Sequence, residues 1–341
     1  MTHSLADRRQ VGATSLSVPP IGMGTVALGE LYAPVSEEHS RATLEAAWDG
    51  GVRFYDTAPW YGRGLGEHRT GGFLRPKERS NFIVTTKIGR YFTRPADPTT
   101  FDTAPWAGGL RMEMVYDYSY AGVMRSYEQS LLRLGLDTVD ALLIHDPDPA
   151  NHGEHHAARM KDMAESGIRA LEELKSTGDI KAVGMGLNAT ESLMTLASLV
   201  PLDFCIVAMP YTLLDQSSLD TGMQRCIDHN ISVVIGAPFA SGILATGPVP
   251  GTRYRYEVAT DDILAKVGRI EAVCRGHGVS LQAVALQFPL AHPAVVSVIP
   301  GMARPSEVVQ NIAAIQENIP PSLWTDLKAE NLIDVAAPVP T

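Results

Sequence analysis

Only three of the 341 residues are cysteine, and Cys205, Cys226 and Cys274 lie far apart. An odd, sparse set suits a reducing compartment better than a disulfide framework. No apolar run approaches the roughly 18 residues of a membrane span, and the opening "MTHSLADRRQ" is polar, with no apolar signal-peptide core behind it. Charge never gathers in a block of one sign, and the formal net charge is −10. With no basic stripe, nucleic acid and anionic membrane are poor partners. A doubly wound nucleotide-binding fold is also disfavoured, because "GRGLG" (62–66) has the wrong glycine spacing for its fingerprint. These absences leave a soluble, cytoplasmic globular protein whose oligomeric state is unreadable.

What is present is a large apolar fraction, 45% of residues, enough for a sizeable core. Short, nearly continuous apolar runs recur: "FYDTA" (54–58), "FIVTTKIG" (82–89), "VDALLIHD" (139–146), "IKAVGMGLN" (180–188), "FCIVAMP" (204–210), "ISVVIGAPF" (231–239) and "VVSVIPG" (295–301), with "PPIGMGTVALG" (19–29) as a possible first. Such runs mark strands buried on both faces of a parallel sheet. Helical spacing lies between them over 37–51, 119–134, 160–177 and 261–275, several ending on glycine. Strand and helix alternate about eight times, which predicts an α/β fold of (β/α)8 TIM-barrel type. The stretch 90–118, rich in proline, glycine and aromatics, predicts an extended loop over the barrel's C-terminal face. No linker interrupts the pattern, so residues 1–341 are expected to form a single domain.

In such a barrel the polar residues at strand ends converge on one mouth. Asp56, Lys87, His145 and Asn188 end successive runs, and Tyr61 sits in the loop after Asp56. Taken singly, Asp56 reads as a turn cap, His145 as a barrel histidine and Tyr61 as packing. Together they form a proton-transfer set: a tyrosine whose pKa of about 10 is lowered by a lysine, the lysine held by an aspartate, and a histidine facing the substrate oxygen. The histidines of "NHGEHH" (151–156) read as a solvated loop rather than a metal site.

These motifs resemble those of the aldo-keto reductases over nearly the whole chain. "GVRFYDTAPWYGRGLGE", "VTTKIG" and "LLIHDPD" are similar to the family's aspartate–tyrosine, lysine and histidine segments. The resemblance implies a catalytic set of Asp56, Tyr61, Lys87 and His145, and a nicotinamide dinucleotide extended across the mouth. Around that cofactor it implies Gly24, Thr25, Asn188, Gly236, Pro238, Phe239, Ala240, Ser241 and Gly242. At the adenosine end it implies Gly301, Arg304, Glu307, Gln310 and Asn311. Gly236 stands where many members carry a tyrosine that stacks on nicotinamide, which leaves Trp60 and Phe239 as replacements. A carboxylate at Glu307 favours NAD over NADP, with Arg304 as a counter-argument. Further stretches, "YDYSYAGVMRSYEQSLLRLGLDTVDALLIHDPD" and "FASGILATGPVPGTRYRY", resemble the subgroup that oxidises cyclic hemiacetals of sugars or pyridoxal to lactones. The expected pocket wall is Trp60, Tyr91, Phe92, Trp106 and Asp146. The fold also serves in cofactor-binding sensors, a reading that the complete set of four disfavours.

Overall fold

Side chains alternate across a strand, so each strand of a barrel sends one set inward and the other toward the helices. The computed structural model describes residues 3–197, 200–208 and 210–341. Eight parallel strands form one sheet: β1 Met23–Gly24, β2 Phe54–Asp56, β3 Ile83–Ile88, β4 Ala141–His145, β5 Ala182–Leu187, β6 Phe204–Ala208, β7 Ser232–Gly236 and β8 Val295–Ile299. Each pairs with its neighbour in sequence. Bridges from Ile21 to Val298 and from Gly24 to Gly301 join first to last, and Gly24 N donates to Pro300 O at 3.0 Å. The sheet therefore closes into the expected (β/α)8 barrel. Every expected run supplies a strand; Met209, inside the sixth run, lies outside the described residues.

The inner set includes Phe54, Ala141, Leu143, Ala182, Phe204, Ile206 and Val234. The outer set, with Tyr55, Val84, Leu142, Ile144, Val183, Cys205 and Ile235, packs against the helices. An N-terminal hairpin, Arg9–Gln10 with Ser17–Val18, contributes Val11, Leu16 and Val18 to the inner cluster and plugs it.

Helices form where their caps predict. Ser36 Oγ accepts from His39 N at the start of Glu37–Asp49, and Ser119 Oγ accepts from Gly122 N at the start of Tyr120–Leu134. The expected helix over 160–177 is divided by a π-turn at Met163–Gly167. The glycine-rich stretch after Tyr61 is a loop only as far as Gly64, since Leu65–Leu74 is helical. This helix tolerates Gly71 because a Cβ there would lie 2.0 Å from Leu134 O. Its buried Glu67 accepts from Thr86 Oγ1 at 2.6 Å and Arg133 Nε at 2.5 Å, tying it to the strand that carries Lys87. The stretch 90–118 holds an antiparallel hairpin, Arg90–Thr93 with Glu113–Tyr116, and brings Trp106 against Leu31. Among the described residues no helix is long and apolar enough to cross a membrane.

The hairpin plug lies at the end of the barrel away from the strand-end polar residues. Leu16→Ala is therefore expected to cost about 2–5 kcal/mol of stability, as a buried leucine truncation does, while leaving turnover per folded molecule unchanged. Urea unfolding beside active-site-normalised kinetics checks both.

Candidate active site

The inward set at the C-terminal ends of the strands is divided in two. Asp56, Lys87 and His145 fill one half of the mouth. The other half is floored largely by Gly24, Ala208, Gly236 and Gly301, which carry almost no side chain. A cavity of about 600 Å³ opens over both halves.

Lys87 and Asp56 are each 2% exposed. Lys87 Nζ donates to Asp56 Oδ1 and Oδ2 at 2.7 and 2.8 Å and to Thr57 O at 2.8 Å. Thr85 Oγ1 donates to the same Asp56 Oδ1 at 2.7 Å, from a residue in register with Asp56 across the sheet. Thr25 holds the Asp56 carbonyl from both its N and its Oγ1, each at 3.0 Å. Removing one partner of such a pair strands a charge in a low-dielectric interior.

Tyr61 lies beside this pair, with Lys87 Nζ 5.5 Å from its ring centroid and the His145 ring 6.0 Å away, edge on. Glycine makes the placement possible. Gly62 adopts φ 63°, and a Cβ on Gly29 would sit 2.5 Å from Gly62 N and 2.6 Å from Tyr61 C. The glycine-rich loop thus lets two backbones touch and aims the phenol across the mouth.

Burial, and then the carboxylates of Asp56 and Asp146, hold the Tyr61 hydroxyl well above the usual tyrosine range, with Arg90 pulling the other way. The expected lowering by lysine is outweighed by this burial and by the carboxylates, Asp56 among them, which Lys87 itself contacts. Burial, Arg90 and Lys87 push His145 well below its ordinary value, so the ring is neutral. His145 Nδ1 is buried with no partner among the described residues, and Nε2 lies 3.4 Å from Asp146 Oδ2. That contact favours the tautomer with its proton on Nε2.

Asp146 lines the cavity and Arg90 backs it, Nη2 to Oδ2 at 2.8 Å. Asn188 Nδ2 donates to Asp146 Oδ1 at 3.2 Å and accepts at Oδ1 from Tyr256 OH at 3.3 Å. Trp60 and Trp106 form an edge-to-face wall, centroids 5.4 Å apart, with Trp106 6.2 Å from Tyr61.

The sequence similarity matches this geometry. The Aldo/keto reductase family profile matches residues 20–331. The chain belongs to the aldo-keto reductase family. A pyridoxal 4-dehydrogenase from Microbacterium luteolum is 38% identical over 96% of this chain and 98% of its own length. A D-threo-aldose 1-dehydrogenase from a Pseudomonas species is also 38% identical, over 94% of this chain and 96% of its own length. The holo form of an aldo-keto reductase from Bacillus halodurans superposes with a TM-score of 0.74 at 23% identity, covering 97% of both chains, which shows the shared fold. The protein is a nicotinamide-dependent oxidoreductase.

Of the residues expected around the cofactor, Gly24, Asn188, Gly236, Pro238, Phe239, Ser241, Gly242, Gly301 and Glu307 line the cavity. Thr25 and Ala240 are fully buried behind it. Arg304, Gln310 and Asn311 lie outside the lining, on or just before the helix Pro305–Gln316. Phe239 also packs into the outer core and Trp60 into the tryptophan wall, and both line the cavity. Tyr91 and Phe92 do not line the cavity. They alternate along the 90–93 hairpin strand, so Phe92 turns inward onto Arg133 and Tyr91 meets Arg125. The 151–156 stretch is not a solvated loop: it is mostly helical, and buried His152 contacts Tyr118 OH at 3.2 Å and Asp146 O at 3.0 Å. Among the described residues no group of three His, Cys, Asp or Glu could hold a metal ion.

Two residues at the site escape a reading of the sequence. Arg90 follows the Lys87 run by three residues, a position that marks it as close to the strand end. Tyr256 comes from a distant hairpin and carries no local signal.

Lys87→Met leaves Asp56 buried without its cation and is expected to cost about 3–5 kcal/mol; Lys87→Met with Asp56→Asn regains part of it, read from urea midpoints. Gly29→Ala is expected to keep the fold by circular dichroism while lowering kcat about 10–100-fold, since a displacement near 1 Å in a reacting group costs that much.

Proposed function

We propose that this protein oxidises a cyclic hemiacetal to a lactone with NAD as hydride acceptor, as an aldose 1-dehydrogenase of the L-fucose or D-threo-aldose type. The observation that carries the reading is one cavity wall holding a tyrosine hydroxyl, a neutral histidine and a buried lysine–aspartate pair, opposite a floor bare of side chains. The full-length relatives act on hemiacetal-forming aldehydes by name and support the substrate class.

The bare floor fits a flat ring: Gly236 and Gly301 offer no Cβ to fill the space, and Asn188 and Ser241 stand at its edge as polar contacts. A nicotinamide dinucleotide held there supplies the hydride acceptor. Tyr61 takes the proton from the hemiacetal hydroxyl while the hydrogen on the same carbon leaves with its electron pair. The remaining O–H electrons become the second bond of the lactone carbonyl. His145 Nε2–H donates to the reacting oxygen, and Lys87–Asp56 fixes the field around Tyr61. Glu307 lines the cavity with its carboxylate fixed by Ala303 N at 2.7 Å, and a fixed negative charge there repels a 2′-phosphate. That supports NAD over NADP.

The Trp60–Trp106 wall also suits a flat pyridine by stacking, which keeps pyridoxal oxidation to 4-pyridoxolactone as a second reading.

The test is initial NADH formation with L-fucose, D-arabinose and pyridoxal, each with NAD and with NADP. Turnover of the sugars with a specificity constant favouring NAD is expected. Pyridoxal turnover alone would select the second reading, and no turnover with firm dinucleotide binding would favour a sensor. Tyr61 must act as phenolate in oxidation and is held as phenol, so kcat is expected to climb with pH and not to level off at the ordinary tyrosine value of about 10.

A further inference from the structure

Asp146 is held from every side. Its N donates to Gly186 O at 3.0 Å, its carbonyl meets His152 Nε2 at 3.0 Å, and its backbone adopts φ 44°, in the left-handed region that a residue with a Cβ enters only when its surroundings impose it. This places the carboxylate directly beside the reacting histidine, with Oδ2 3.4 Å from His145 Nε2. Arg90 Nη2 occupies Oδ2 from behind at 2.8 Å, and Arg90 is itself only 2% exposed. Oδ1 has one longer contact, 3.2 Å from Asn188 Nδ2, and the side chain stays 15% exposed toward the cavity.

An ion pair that merely neutralised Arg90 would close on itself. This one keeps Arg90 Nε without a partner among the described residues and turns an acceptor oxygen toward the cavity. The carboxylate lies 3.4 Å from the nitrogen that meets the reacting oxygen, within reach of a hydroxyl on the next carbon of a ring.

Resting on the hemiacetal reading, we infer that Asp146 is a specificity-determining residue that accepts a hydrogen bond from the substrate hydroxyl on the carbon adjacent to the oxidised one, and that Arg90 is its positioning residue. A 2-hydroxy aldose satisfies the carboxylate. A 2-deoxy aldose leaves its Oδ1 desolvated with the longer Asn188 contact alone. Asp146→Asn turns its oxygen to Arg90 and presents an N–H to the cavity, exchanging acceptor for donor.

The experiment compares kcat/KM for L-fucose and 2-deoxy-L-fucose within each of four proteins: wild type, Asp146→Asn, Arg90→Gln and Arg90→Lys. Because the ratio is taken within one protein, loss of folded material cancels. The wild type is expected to prefer the 2-hydroxy sugar by about 10–100-fold, the range of a hydrogen bond to a charged group, carried mainly by KM. The ratio is expected to fall to within about 3-fold in Asp146→Asn and Arg90→Gln, and Arg90→Lys is expected to restore part of it. A wild-type ratio near one, or an equal ratio in wild type and Asp146→Asn, overturns the assignment while the hemiacetal reading stands. No turnover of either sugar by the wild type overturns the assignment together with the aldose reading.

Discussion

The Asp56–Lys87 ion pair is the contact on which the site is built. Two opposite charges sit in a barrel interior where neither is stable alone, and the low dielectric forces them together. Strand alternation brings them there: Asp56 is the last residue of β2, and Lys87 points inward two residues beyond Thr85, the register partner of Asp56. The polar groups around it are placed with respect to the pair. Thr85 and Thr25 hold Asp56, Thr57 takes the third lysine proton, and Tyr61 lies over the ammonium.

A second pair repeats the device a few ångströms away. Arg90 and Asp146 are cation and anion in mutual contact, and His145 between the pairs is neutral because two cations and burial leave it no other state. The reacting end is thus rich in donors and acceptors yet carries little net charge. A neutral polyol can be desolvated against such a surface without stranding a charge. The opposite half of the mouth carries no ionised side chain on its floor, which is glycine, alanine and the apolar Ile206, so a flat ring there meets backbone and methyl groups.

How much of this was legible depends on how local the cause was. Asp56, Lys87 and His145 were readable because each ends a continuous apolar run, and period-two alternation puts such ends on one face. The capped helices after Ser36 and Ser119 were readable for the same local reason. The Leu65–Leu74 helix was not, because its Gly71 answers to the backbone of Leu134, a residue far away in sequence. Tyr91 and Phe92 were assigned to the wall by aromaticity, but hairpin pairing decides where they point. The direction of the Tyr61 shift also escaped, because residue types suggest a lysine nearby but not that burial and two carboxylates outweigh it.

The loop after β2 raises the same question in three dimensions. Gly62 and Arg63 both adopt positive φ, and Gly64, at φ 101° and ψ −13°, starts the next helix. After β7, Ala240 and Ser241 adopt positive φ, and Gly242, again at φ 101° and ψ −13°, starts another. The first turn follows Tyr61 at the reacting half of the mouth; the second holds Ser241, in the place of Arg63, at the bare half. Glycine at the last position avoids the steric cost of positive φ, while Arg63, Ala240 and Ser241 bear it, at about 1–2 kcal/mol each. Strain of that size persists only where surrounding contacts hold it. At Tyr61 they are the abutting backbone of Gly29 and the packed ring of Trp106. At Ser241 the hold is Tyr256 N on its Oγ, at 3.1 Å. The barrel thus uses one backbone device twice, and the polar residue at each turn decides whether that half of the mouth can move protons or only hold a ligand.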